Sequence, residues 1–166
     1  MTSSNLELIP NQVLMGERNY EAAIDLVIAS AQSELLIFDT DLSRGAYSSL
    51  NRLTLISQFL ASQPQNRLTM ILLDAEYFVQ NCPRLFDLLK TYSHKITIYK
   101  TNEAAKVAQD CFVLADKQHY IRRFNKDLAR FKFAFDDIEM GAQLNMRFNE
   151  LLEETAETIS HNQLGL

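Results

Sequence analysis

The sequence predicts an α/β fold: a mixed, mostly parallel sheet with helices on both faces, a C-terminal β-hairpin and a closing helix. Three observations predict it. Short continuous apolar runs, such as Leu35 to Phe38 and Cys111 to Ala115, read as strands buried on both faces. Between them lie segments whose apolar residues recur at helical spacing, and strands alternating with helices give a sheet covered on both sides. Later, RFKFAF at 130–135 puts Phe131, Phe133 and Phe135 on one face and Arg130 and Lys132 on the other. Strict alternation marks a half-buried strand of an antiparallel pair.

Each element follows in order from the residues. Leu8 to Met15 opens as a short strand interrupted by Pro10. Asn19 is positioned to cap a helix that carries Tyr20, Ala23, Ile24, Val27, Ile28 and Ala31 on one face. Leu35 to Phe38 is the first buried strand. Ala46 to Ser62 is helical, with Leu50, Leu53, Ile56 and Leu60 as its stripe, and Pro64 to Asn66 breaks the chain. Arg67 to Asp74 is a second buried strand. Pro83 opens another helix at a favoured first position, with Leu85, Phe86, Leu89 and Tyr92 inward. Lys95 to Tyr99 is a third strand, and Glu103 to Val107 reads as weakly helical or loop. Cys111 to Ala115 is a fourth strand. His119 to Phe124 and Arg130 to Phe135 form a hairpin about Asn125-Lys126-Asp127. Asp136 to Ile159 closes the chain as a helix, with Leu144, Phe148, Leu151 and Leu152 on its buried side.

No repeat, low-complexity stretch or linker interrupts this order, so residues 1–166 read as one domain. Only four glycines and three prolines occur, in keeping with long regular elements. The net charge of −5 gives the whole chain no pull toward nucleic acid or anionic lipid. Cys82 and Cys111 do not make a disulfide framework and read as buried small hydrophobes. The N-terminus lacks an apolar signal core, and no apolar run approaches the ~20 residues that cross a bilayer. The cytoplasm is the expected address.

Two groups of residues carry candidate chemistry. Asp39 and Asp41 end the first buried strand in FDTD. An apolar strand followed by Asp-x-Asp resembles the opening motif of the haloacid-dehalogenase phosphatases. FDDIEM at 135–140 and Thr101 resemble two further segments of that family. This resemblance implies Asp39 as nucleophile, Asp41 as acid/base and an aspartate near 136 holding magnesium. Against it, a full helix precedes the first strand, and Leu42-Ser43 replaces the family's glycine. Asp136 and Asp137 also suit the start of a helix. The other group is the basic hairpin 117–132. Arg122, Arg123, Lys126, Arg130 and Lys132 are interleaved there with Tyr120, Phe124 and Phe131. Such a patch is an anion-binding candidate for nucleic acid, or a solvated sheet edge whose charges deter aggregation.

A third stretch, QDCFVLADKQ at 109–118, resembles the motif strand of the phospholipase-D-like family, which carries His-x-Lys-x-x-x-x-Asp. Asp116 matches the family's Asp, Phe148 fits its closing helix, and residues 20–42 resemble its opening helix and strand. The resemblance covers about residues 16–155, and more narrowly looks like uncharacterised bacterial single-lobe proteins. It implies a motif pocket made by Gln109, Cys111, Asp116, Asp39 and Asp41. The family's nucleophilic His is replaced by Gln109 and its phosphate-neutralising Lys by Cys111. The expectation is therefore a non-catalytic binding or scaffold module with no catalytic residue, metal or cofactor and no membrane. Catalytic members place two lobes face to face, so the resemblance also implies a homodimer, paired across Cys111, Phe112 and Val113. A protein partner and nucleic acid remain open alternatives.

Overall fold

The computed structural model describes residues 8–101 and 108–159. Its elements run β1 (Leu14–Met15), α1 (Glu17–Ser30), β2 (Glu34–Asp39), α2 (Leu50–Ser62), β3 (Arg67–Leu72), α3 (Glu76–Asn81) and α4 (Pro83–Thr91). They continue with β4 (Ile96–Thr101), β5 (Cys111–Ala115), β6 (His119–Asn125), β7 (Leu128–Ala134), α5 (Ile138–Glu153) and β8 (Thr155–Ile159). The expected helix or loop at 103–107 lies outside the described residues.

The described strands form one sheet in the order β1-β7-β6-β5-β2-β3-β4-β8. It is mixed, as the sequence predicts, but mostly antiparallel. Only β2–β3 and β3–β4 are parallel, and five other pairings are antiparallel. The reason is physical. A continuous apolar run reports burial on both faces and says nothing about direction, so β5 returning antiparallel beside β2 leaves no mark on its own sequence.

Side chains alternate between two cores, one on each face. Leu35 and Ile37 of β2, Met70 of β3 and Val113 of β5 pack with α1, α2 and α4. Leu36, Phe38, Ile71, Phe112 and Leu114 pack with Leu144, Phe148 and Leu151 of α5. Helices thus cover both faces, and no described helix is long and apolar enough to cross a membrane.

Several boundaries differ from expectation. Gly16, not Asn19, precedes α1; Asn19 donates to the Met15 carbonyl at 2.9 Å instead. The second helix begins at Leu50, behind a Ser49 cap that accepts from Arg52 N. Leu50 is 65% exposed, and Phe59 takes its place in the stripe. The closing helix ends at Glu153, and Thr155–Ile159 pairs antiparallel with β4. Thr155, Thr158 and Ile159 are β-branched and favour an edge strand once the helix stops. Cys111, Phe112 and Val113 are 4%, 1% and 1% exposed. They belong to the chain's own two cores and offer no face to a second copy.

Candidate functional site

Strand register builds the site. Phe38 of β2 faces Phe112 of β5, so Asp39 and Cys111 come next to each other one step along. Cys111 in turn faces Arg123 of β6, which faces Phe131 of β7. Asp39, Cys111 and Arg123 therefore form a row across three strands, on the side covered by α1. Tyr20 of α1 lies over this row. Its hydroxyl is 3.4 Å from Cys111 Sγ, its ring is under the Arg123 guanidinium at 4.9 Å, and it packs on Phe131.

The row ends in a cleft of about 230 Å³ lined by Asp39, Thr40, Asp41, Ser43, Arg44, Cys111, Arg123, Lys126 and Asp127. Asp39 is 4% exposed. Burial pushes its carboxyl up to about 6, against bonds from the Leu42 and Asp41 amides and the Cys111 thiol that favour the charged form. Burial and the Asp39 charge push the Cys111 thiol well above its ordinary value, so it is a thiol and not a thiolate nucleophile at neutral pH. Tyr47, also buried beside Asp39, is raised well above its ordinary value by the same burial.

The cleft's cations are largely committed. Arg123 is fully buried and holds Glu17 through two bonds, 2.7 and 2.9 Å. Arg44 shares the same Glu17 carboxylate at 3.0 Å. Lys126 has no side-chain partner among the described residues; its backbone amide donates to the Gln109 carbonyl at 2.7 Å. The loop 40–49 forms one wall. Leu42 and Ala46 hold positive φ, and the loop is tied down from behind by Arg52. That side chain is fully buried, bonds Asp25, the Gly45 carbonyl and the Glu21 carbonyl, and stacks on Tyr47 at 4.9 Å.

The structure thus brings Asp39, Asp41 and Cys111 together at the cleft, with Gln109 exposed two residues before Cys111. Asp41 also closes its own turn, accepting from Ser43 N and Oγ. Asp116 is elsewhere: it follows the opposite end of β5. There it accepts from the Gln32, Ser33 and Glu34 amides and the Ser33 hydroxyl at 2.8–3.1 Å. Burial works to raise its pKa, and these bonds outweigh it and hold the carboxyl below its ordinary value. Asp116 therefore stitches the β5–β6 turn to the start of β2 and has no part in the cleft.

The acidic phosphatase set does not assemble. Asp136 lies beside His119 at that same far end, its amide bonding His119 Nδ1. Asp137 caps α5 by accepting from Met140 N at 3.0 Å. Thr101 ends β4 and is buried. Among the described residues no three metal-binding side chains cluster. Neither His94 nor His119 lines the cleft.

The basic hairpin is divided as well. Arg123 faces the α1 side and is neutralised by Glu17. Arg122 points to the other side and pairs with Asp110 at 3.0 Å, which also pairs with Arg147 of α5. Burial works to raise Asp110, but the two arginines outweigh it and hold it below its ordinary value. Sequence reasoning missed Glu17, Tyr47, Arg52 and Asp110. An arginine inside an apolar helix stripe, as at Arg52, was the one available signal.

A mixed sheet sandwiched between helices, with its cleft where the ends of β2 and β5 meet, defines a phospholipase-D-like fold. Solved structures share it. TrmBL2, described as an archaeal chromatin protein with a novel mode of DNA binding, aligns with a TM-score of 0.64 at 12% identity, over 92% of this chain and 55% of that one. Nuc, a phospholipase D family member from Salmonella typhimurium, gives 0.60 at 7% identity over 90% and 98%. NucT from Helicobacter pylori gives 0.59 at 15% over 87% and 96%. The chain spans about half the length of the TrmBL2 chain. No curated protein matches the sequence. The chain belongs to the family described as Domain of unknown function (DUF7931), matching it over residues 16–164.

Proposed function

We propose that the chain is a non-catalytic phospholipase-D-like module that binds a small polar ligand in the Asp39–Cys111 cleft. One observation carries the reading. The end of β2 and the motif strand β5 bring a buried carboxyl, Asp39, and a neutral thiol, Cys111, to the cleft, where phosphodiester transfer needs an imidazole nucleophile and a cation to hold phosphate. Glu17 already occupies Arg123 and Arg44, and Asp39, Asp41 and Asp127 outnumber Lys126, the remaining cation of the lining. A hydroxylated or cationic ligand suits that lining better than a phosphodiester.

The test has two arms. Purified protein incubated with bis(4-nitrophenyl) phosphate and with phosphatidylcholine vesicles is expected to release no product above a buffer blank. A thermal-shift panel of small polyols and amines is expected to yield a stabilising compound whose effect is lost in Asp41→Ala. Turnover that disappears in Asp39→Asn would overturn the reading.

A second reading is that the module binds nucleic acid. It draws support from the likeness to TrmBL2, described as binding DNA, and from the arginines and lysines of the β6–β7 hairpin. Retarded migration of single-stranded or duplex DNA at low salt, lost on adding salt, is the expected result.

A further inference from the structure

The two faces of the sheet are not covered equally. On one, α1 packs against β5, β6, β7 and β1, whereas on the other α5 lies chiefly over β4, β5 and β6, with Ala134 at the end of β7 also in its core. Beyond α5, Phe124 at the end of β6, Arg130 of β7 and Met15 of β1 are exposed on that second face, with Arg122 and Lys132 half-buried beside them. Alternation decides what stands there. Phe131 and Phe133 point to the α1 core, so Arg130 and Lys132 point the other way, and the register puts Arg122 opposite Lys132 and Met15 opposite Arg130.

Two features of this surface call for an anion. Like charges directly opposite each other on one face of an antiparallel pair destabilise it, yet Arg122 and Lys132 are paired that way. Arg122 has Asp110 to offset its charge. Lys132 and Arg130 have no carboxylate partner among the described residues. The other feature is aromatic. Phe124 is 37% exposed at the end of β6, with the Arg122 guanidinium 5.7 Å from its ring centroid. Met15 is 62% exposed on the same face.

We propose that this uncovered face of β6, β7 and β1 is a docking surface for single-stranded nucleic acid, with phosphates on Arg130 and Lys132 and a base stacked on Phe124. The proposal rests on the nucleic-acid reading above and gives it a place and a strand form. A flat sheet face that combines cations with an exposed ring suits unpaired bases, whose π-faces are free to stack. Duplex DNA hides those faces and offers only its backbone. The cleft plays no part, since its arginines are held by Glu17 on the opposite side of the sheet.

Fluorescence anisotropy with labelled oligo-dT, and with a duplex of equal length, tests it on the full chain. The expected result is binding of the single strand that weakens steeply with added salt, because phosphate contacts release counterions. Arg130→Glu with Lys132→Glu should weaken it at least ~10-fold, and Phe124→Ala about 5- to 100-fold. Lys90→Glu, on α4 away from this face, should leave it unchanged. Circular dichroism checks each variant, and Arg130→Gln with Lys132→Gln replaces the reversal if that pair fails to fold. Wild-type binding that survives all these changes, or that favours the duplex, would overturn the surface while leaving the nucleic-acid reading standing. No binding at low salt would overturn both.

Discussion

Asp39 accounts for much of the chemistry at the cleft. Its carboxyl sits at about 6, against an ordinary 3.8, because burial penalises the charged form. A folded-state value above the unfolded one means that the fold favours the protonated acid. That stabilisation is present in full below 3.8 and is lost as pH rises through about 6. The gap is worth about 3 kcal/mol. Asp39→Asn keeps an oxygen to accept from the Leu42 and Asp41 amides and removes the titration. The variant is expected to be more stable than the parent at pH 8, by up to about 3 kcal/mol, with the advantage fading below pH ~4. Urea midpoints measured across that range check it; a variant less stable at pH 8 would mean that the carboxylate is held by stronger partners than its two amides and the thiol. Arg52 makes the complementary case. Three bonds and Tyr47 surround its buried guanidinium. Arg52→Leu leaves the Gly45 and Glu21 carbonyls without their donor, at about 1–3 kcal/mol each where buried. The loop that walls the cleft loses its anchor, so the variant should lose stability and any cleft ligand together, as read by unfolding midpoint and thermal shift.

Among the elements, α5 approaches the β5–β6 turn closely at Gly141. A Cβ there would stand 1.9 Å from the Lys117 carbonyl oxygen, in the β5–β6 turn where Asp116 and Lys117 both hold positive φ. On an exposed helix, Gly→Ala gains about 1 kcal/mol. Here the neighbour is backbone and no rotamer can relieve the overlap, so Gly141→Ala is expected to cost about 3 kcal/mol or more, with a lower urea midpoint as the readout. Nothing in the helical period of residues 138–153 announces this, because periodicity reports which face is buried and not how closely it approaches. The same limit explains what else was and was not legible. β5 was readable to the residue, since five apolar side chains in a row have no other use. The hairpin was readable from the alternation of RFKFAF. Strand direction was not, and neither was β8, whose five residues look like the frayed end of a helix until β4 pairs with them. At the site, register explains the outcome: Asp39 and Cys111, grouped in one expected motif pocket, are neighbours across β2 and β5. Asp116, just past the last residue of β5, was grouped with them and lies at the other end. Arg123 read as a surface cation because Glu17, 106 residues away, has no local signature.

Across the whole molecule, charge is segregated in a way that the net value of −5 conceals. The ends of β2 and β3 carry an acidic rim, with Asp41, Asp74 and Glu76 lining one groove beside the cleft. The face of β6 and β7 carries Arg122, Arg130 and Lys132 on the side away from α1. This arrangement bears on oligomeric state. In a two-fold pair the same patch meets itself. The motif strand cannot supply that patch, because its side chains fill the chain's own cores, and the acidic rim would set carboxylates against carboxylates. Sedimentation at micromolar concentration and low salt is therefore expected to show a one-chain species. Salt distinguishes the alternatives. Pairing through the rim would strengthen with added salt, which screens the repulsion, whereas head-to-tail contact of rim with basic face would weaken. A two-chain species indifferent to salt would require an apolar interface burying at least ~1,200 Å², and would contradict the reading of the molecule as a single copy with its motif strand closed inside.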